Sequence, residues 1–148
     1  MTDIYSRLKQ DHDKHRKLLA KIAETHGDSA ERRELFEAFR VEVTAHANAE
    51  EQTLYAYMLE DPDLQDEGRH SVAEHKNIDD MLEELSDMDM SSPGWLTRFK
   101  ALRHCYEHHI EEEEEEIFVA AEKVTRASEE RKMADKFDDR KADEKAAA

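Results

Sequence analysis

The chain has 148 residues, a formal net charge of −16 and 41% charged side chains, with only three glycines and two prolines. One domain with a single core fits that length, and the sign of the charge excludes nucleic acid and anionic membrane as partners, because phosphates are met by clustered Lys and Arg. No apolar run approaches the roughly 20 residues of a membrane span, MTDIYSRLKQ lacks a signal-peptide core, and the lone Cys105 excludes an internal disulfide, so a soluble, cytoplasmic protein is expected.

The scarcity of helix breakers predicts an all-α fold. Breaking and capping residues gather at HGDS (26–29), EDPDLQDEG (60–68) and MSSPG (90–94). They delimit four helical segments: about 2–25, 29 or 30 to 58, about 67–88, and 93 to about 127. Ser29 and Ser92 are suited to N-caps, and Pro93 to the first helical position. Residues 1–127 are therefore expected to form an up-down-up-down four-helix bundle. Residues 128–148 are charged, with Met133 and Phe137 as their only large apolar side chains. They read as a frayed helical or disordered tail, the alternative being a helix that recruits a protein partner.

Each segment carries an apolar seam interrupted by polar residues. The first reads Tyr5, Leu8, His12, His15, Leu19, Ile22, and the second Phe36, Phe39, Val43, His46, Glu50, Tyr57. The third reads His75, Ile78, Leu82, Leu85, and the fourth Phe99, Leu102, Tyr106, His109, Glu113, Ala120, Val124. A shift of 63 residues lays the second half of the chain on the first without a gap: His12 falls on His75, His46 on His109, Glu50 on Glu113, Tyr55 on Phe118. Bundle geometry explains the recurrent interval between paired histidines, since at 1.5 Å per residue the chain descends from one and climbs back to the level of the next. The repeat thus predicts a pseudo-twofold bundle with four histidines in one layer.

Positions i and i+4 share a helix face, so His46 with Glu50 and His109 with Glu113 each present a nitrogen and an oxygen inward. Four imidazoles and two carboxylates in one buried layer require a neutralising charge, which a metal supplies. Six donors exceed the needs of one tetrahedral zinc and suit two iron or manganese ions bridged by the carboxylates. Within the glutamate run 111–116, Glu113 is the one singled out; Glu111, Glu112, Glu115 and Glu116 read as a solvated face.

This H…HxxxE…H…HxxxE pattern on a four-helix bundle resembles the hemerythrin-like, HHE cation-binding family over roughly residues 1–127. The resemblance implies two non-haem iron ions, oxo- or hydroxo-bridged, held by His12, His46, Glu50, His75, His109 and Glu113. It implies oxygen, peroxide or nitric oxide as small ligands and leaves three functions open: oxygen or redox sensing and binding, an enzyme that activates oxygen or decomposes peroxide, and iron storage. Oxygen-carrying hemerythrins have a further histidine one turn earlier on the third helix, where this chain has Ser71. The missing ligand favours reactivity over simple carriage. Because ligating histidines must be neutral, iron affinity is expected to fall below about pH 6.

Tyr106 and His15 face inward near the site and are candidates to contact the cofactor or replace the missing ligand. His70, which aligns with Arg7, reads as a surface histidine. His104 and His108 lie off the seam, although His108 and Glu112 also make an HxxxE pair. Glu51 and Glu114 are expected just outside the ligand set, near enough to tune it. Cys105 reads as inert, and Met81, Met88 and Met90 as core filling or fraying.

Overall fold

The computed structural model describes residues 2–148. Among them there are helices and no strands: α1 (Ile4–Ala23), α2 (Ala30–Glu50), α3 (Ala56–Glu60), α4 (Gln65–Asp87), α5 (Pro93–Glu112), α6 (Phe118–Glu122) and α7 (Ala127–Ala147). None of these helices is long and apolar enough to cross a membrane. The caps are local. Asp3 accepts from Ser6 N, Ser29 from Arg32 N and Ser92 from Gly94 N, each satisfying an amide that the first helical turn leaves free. Between α1 and α2, Gly27 adopts a φ of 58°, a left-handed conformation that glycine enters without steric cost.

Two π-helical turns, Glu51–Tyr55 and Glu113–Ile117, join α2 to α3 and α5 to α6. Each begins at or just after a seam glutamate, within one residue of the same place in the 63-residue repeat. A π turn inserts a residue into the helical register. The seams expected from uniform spacing are therefore corrected beyond these points: Leu54, Tyr55 and Met58 are buried in place of Tyr57, and Ile117, Phe118 and Ala121 in place of Ala120 and the exposed Val124.

Helices α1, α2, α4 and α5 form the bundle, and apolar clusters lie on either side of the polar layer. One gathers Leu19, Ile22, Phe36, Phe39, Leu82, Leu85, Trp95 and Phe99. Trp95 is its anchor, fully buried, stacked on Phe99 at 5.4 Å and donating its indole N–H to Leu85 O at 3.1 Å. The other gathers Ile4, Leu8, Leu54, Tyr55, Met58, Phe118 and Phe137.

Of the helical and disordered forms expected for the C-terminal tail, the structure has the helical one, α7, and instead of fraying it packs against α1 and α2. Phe137 is fully buried, lies edge-on to the His46 ring at 5.4 Å, and is covered by the Arg7 guanidinium at 5.1 Å. Ionic contacts supply what the apolar content lacks. Arg7 pairs with Asp138 at 2.6 Å, Lys145 with Glu42 at 3.1 Å, and the buried Lys141 with both Asp11 (2.8 Å) and Glu42 (2.7 Å).

Candidate metal centre

All six residues singled out by the repeat meet in the buried layer, none more than 5% exposed. Donor atoms of Glu50, His75, His109 and Glu113 lie within 4.8 Å of one another, and so do those of His12, His46 and Glu50. Both carboxylates span the two histidine pairs. Glu50 Oε1 is 3.2 Å from His75 Nε2 and 3.8 Å from His46 Nε2; Glu113 Oε1 is 3.0 Å from His109 Nε2 and 3.5 Å from His12 Nε2.

Behind the donors stands an acidic set that obeys the same repeat. His46 donates through Nδ1 to Asp11 at 2.8 Å, and His109 through Nδ1 to Glu74 at 2.9 Å. Asp11 and Glu74 are themselves repeat mates, each directly preceding a metal-facing histidine in sequence. His12 donates through Nδ1 to Glu114 at 2.7 Å, and His75 Nδ1 points towards the repeat mate Glu51 at the longer distance of 3.6 Å. An imidazole whose Nδ1–H is held by a carboxylate has its Nε2 lone pair free to bind an ion.

The inward atoms have nothing else to bind. His12 Nε2, His46 Nε2, His109 Nε2, both oxygens of Glu50 and Glu113 Oε1 are buried without a hydrogen-bond partner. An unsatisfied buried polar group costs about 1–3 kcal/mol, and such a concentration in one layer fits a cage for cations. Residues 3–121 match the family model described as the hemerythrin HHE cation binding domain. The chain belongs to the hemerythrin HHE cation-binding family. Among solved structures, it is similar to that of a hemerythrin HHE cation binding domain-containing protein from Mycobacterium kansasii, with 25% identity, a TM-score of 0.89, and coverage of 99% of this chain and 90% of that one. That span takes in α7, which lies beyond the end of the family match. No curated protein sequence matches.

The charge pattern of this HHE domain follows from burial and pairing. Burial opposes charge on His12, but the facing carboxylate of Glu113 and the hydrogen bond to Glu114 outweigh it and raise its pKa to about 9. His109 reaches about 9 in the same way, burial being overcome by the facing charge of Glu113 and by the hydrogen bond with Glu74. His46 is pushed down to about 3 by burial, despite its bond to Asp11. Burial, and then the charge of Glu113, holds Glu50 well above the carboxylate range. Glu113 lies well below it because the positive charge of His109 overcomes burial. Metal-free, the cage thus stores protons on Glu50, His12 and His109, where cations would displace them.

His15 and Tyr106 lie beside the cage and are bonded to each other. Tyr106 donates its hydroxyl to His15 Nδ1 at 2.7 Å, and His15 Nε2 donates to Glu42 at 2.9 Å. Both His15 nitrogens are thereby occupied, leaving neither for an ion. The phenol that reaches a ligand carboxylate is Tyr55, which donates to Glu113 Oε2 and packs against His75 with ring centroids 5.3 Å apart. Its repeat mate Phe118 stacks on His12 at 6.0 Å and has no hydroxyl. Ser71 is buried and its hydroxyl has no partner. Sequence reasoning paired Tyr55 with Phe118 and missed its place in the site, because the π turn that rotates it inward has no apolar-period signature. Asp11 and Glu74 were findable, since an acid precedes a metal-facing histidine in both halves. His70 and His108 lie at the surface, and Cys105 is half-buried.

Proposed function

We propose that this HHE domain is a non-haem di-iron protein whose buried centre binds oxygen or nitric oxide. One observation carries the reading: two histidine pairs, His12 with His46 and His75 with His109, are spanned by two carboxylates whose inward oxygens, with the facing nitrogens of His12, His46 and His109, lack any partner. Two pairs spanned by two carboxylates match two ions, and mixed imidazole and carboxylate donors suit iron or manganese better than tetrahedral zinc. When bound, ferrous iron supplies an electron-rich place for a diatomic ligand to coordinate. The chain's own part is to aim the imidazoles through Asp11, Glu74 and Glu114, and to keep water out with Phe118 and Phe137, which lie against His12 and His46.

A second reading, a di-iron enzyme that reduces oxygen or peroxide, is favoured by Tyr55. Its pKa is pushed well above the usual phenol range by burial and by the charge of Glu113, so it stays protonated on a ligand carboxylate and can deliver a proton where one is needed. The visible spectrum of ferrous-loaded protein tests both. A colour that forms as oxygen is admitted and bleaches as it is withdrawn supports binding or sensing, whereas an irreversible change to the diferric state supports consumption. Protein that takes up no iron, with its helical fold intact, would overturn both readings.

A further inference from the structure

A second His/carboxylate cluster lies outside the cage, on the face shared by α4 and α5. His70 and Glu74 are one turn apart on α4, and His108 and Glu112 one turn apart on α5, so two surface HxxxE pairs face each other across the helix pair. His70 Nε2 lies 2.7 Å from Glu112 Oε1 and 3.4 Å from Glu74 Oε1. Ligand atoms of His70, Glu74 and Glu112 all fall within 4.8 Å of one another. His108 Nε2 approaches the other oxygen of Glu112 at 3.4 Å.

These side chains are held from behind as ligands are. Glu74 is fixed by the Nδ1–H of His109, and Glu112 is held between two imidazoles. The cluster opens into a surface pocket of about 300 Å³ lined by Asp66, Glu67, His70, Glu112 and Glu116. The three acids around the donors concentrate cations at its mouth. In the first half of the chain the aligned positions are Arg7, Ala45 and Ala49, so the repeat that built the cage does not account for the surface cluster.

We propose that His70, Glu74 and Glu112 form a surface site for one divalent transition-metal ion, with His108 positioning Glu112 and solvent filling the remaining coordination positions. One imidazole and two carboxylates make a borderline donor set that accepts Zn²⁺, Co²⁺ or Fe²⁺ and discriminates against the all-oxygen preference of Ca²⁺ and Mg²⁺. The site is distinct from the cage but shares Glu74 with it, because that carboxylate also orients His109.

Cobalt is the probe. Iron-loaded protein is titrated with Co²⁺, following calorimetry and the visible bands of the ion, and the iron content is measured after each addition. One further equivalent of cobalt is expected with iron retained. His70→Ala abolishes that uptake, and His108→Ala weakens it about 10- to 100-fold, as loss of a residue that orients a ligand does. His46→Ala, which empties the cage of iron, should still take up one more equivalent of cobalt than the double variant His46→Ala/His70→Ala, so failure of the di-iron reading and failure of this one are separable. The proposal is overturned if no cobalt binds beyond the cage, if His70→Ala binds it as wild type does, or if His46→Ala takes up no more than the double variant.

Discussion

The two halves of the bundle carry the same donors and two supporting acids each, at matching positions of the repeat, yet they differ in what lies behind them. On the α1–α2 side, Asp11 is buried and roofed by α7: Lys141 and Arg7 reach it, and Glu42, Lys14 and Lys145 extend the network. Burial alone would raise the Asp11 pKa, but the hydrogen bond from His46 and then those from Lys141 and Arg7 take it well below the carboxylate range. Because His46 is neutral, the two cations supply the charge. On the α4–α5 side, Glu74 is partly exposed and, besides His109, its close partner is the surface imidazole of His70. A duplicated site has thus been sealed on one side with a fifth helix and left open to ions on the other. Orientation of a metal-facing histidine therefore requires only an acceptor on Nδ1, whether buried or wet.

The comparison breaks most sharply at the donors. His46→Ala and His109→Ala, one from each half, should each lose most of the bound iron while circular dichroism shows the helices intact; equal metal content in either variant would refute the shared cage. Next in size is the sealed side. Lys141→Met leaves two buried carboxylates short of a cation and should cost about 3 kcal/mol in denaturant unfolding. Glu74→Gln on the open side should cost under about 1 kcal/mol but lower iron affinity about 10- to 100-fold. Comparable stability losses in these two variants would erase the asymmetry.

The pH response is subtler. In metal-free protein, His12 and His109 have pKa values raised from 6.5 to about 9, so their contribution to stability is complete below 6.5 and lost as pH climbs through 9. Thermal melts of metal-free protein should fall across that window, and iron affinity should rise across it because ions displace those protons. This moves the expected competition upward from the pH 6 suggested by an unperturbed imidazole. A flat melting profile from pH 6.5 to 9 would show that the two histidines are neutral. The smallest effect belongs to Glu115→Gln, an exposed position in the glutamate run, which should stay within about 0.5 kcal/mol of wild type.

The bundle, its loops and the meeting of six His and Glu residues in one layer were legible because each rests on spacing: i to i+4 along a helix and a repeat of 63 residues between halves. Ser29, Ser92 and Pro93 stand where their chemistry suggests. What escaped has no periodic trace. The charged sequence of α7 hides a dock that depends on one aromatic, Phe137, and on pairing Lys141 with acids far away on α1 and α2, Asp11 and Glu42. Tyr106 looked closer to the metals than Tyr55 because a regular helix was assumed past Glu50. Pairing of Tyr106 with His15 and Glu42 is likewise tertiary, assembled from three helices.

The π turns also bear on which kinds of genetic change the chain can absorb. Along most of a helix the tolerable unit of change is a substitution, and an exposed side chain can be exchanged freely. Between Glu50 and Tyr55 the unit that matters is a deletion. Removing one residue there would narrow the wide turn to ordinary helical winding, which takes up the lost rotation of about 100°, so the helix beyond would keep its face, with the phenol toward Glu113 and Met58 in the core. The same holds between Glu113 and Phe118, whose ring would keep its place over His12. These two short stretches can absorb a change of length that elsewhere in a helix would turn every later side chain.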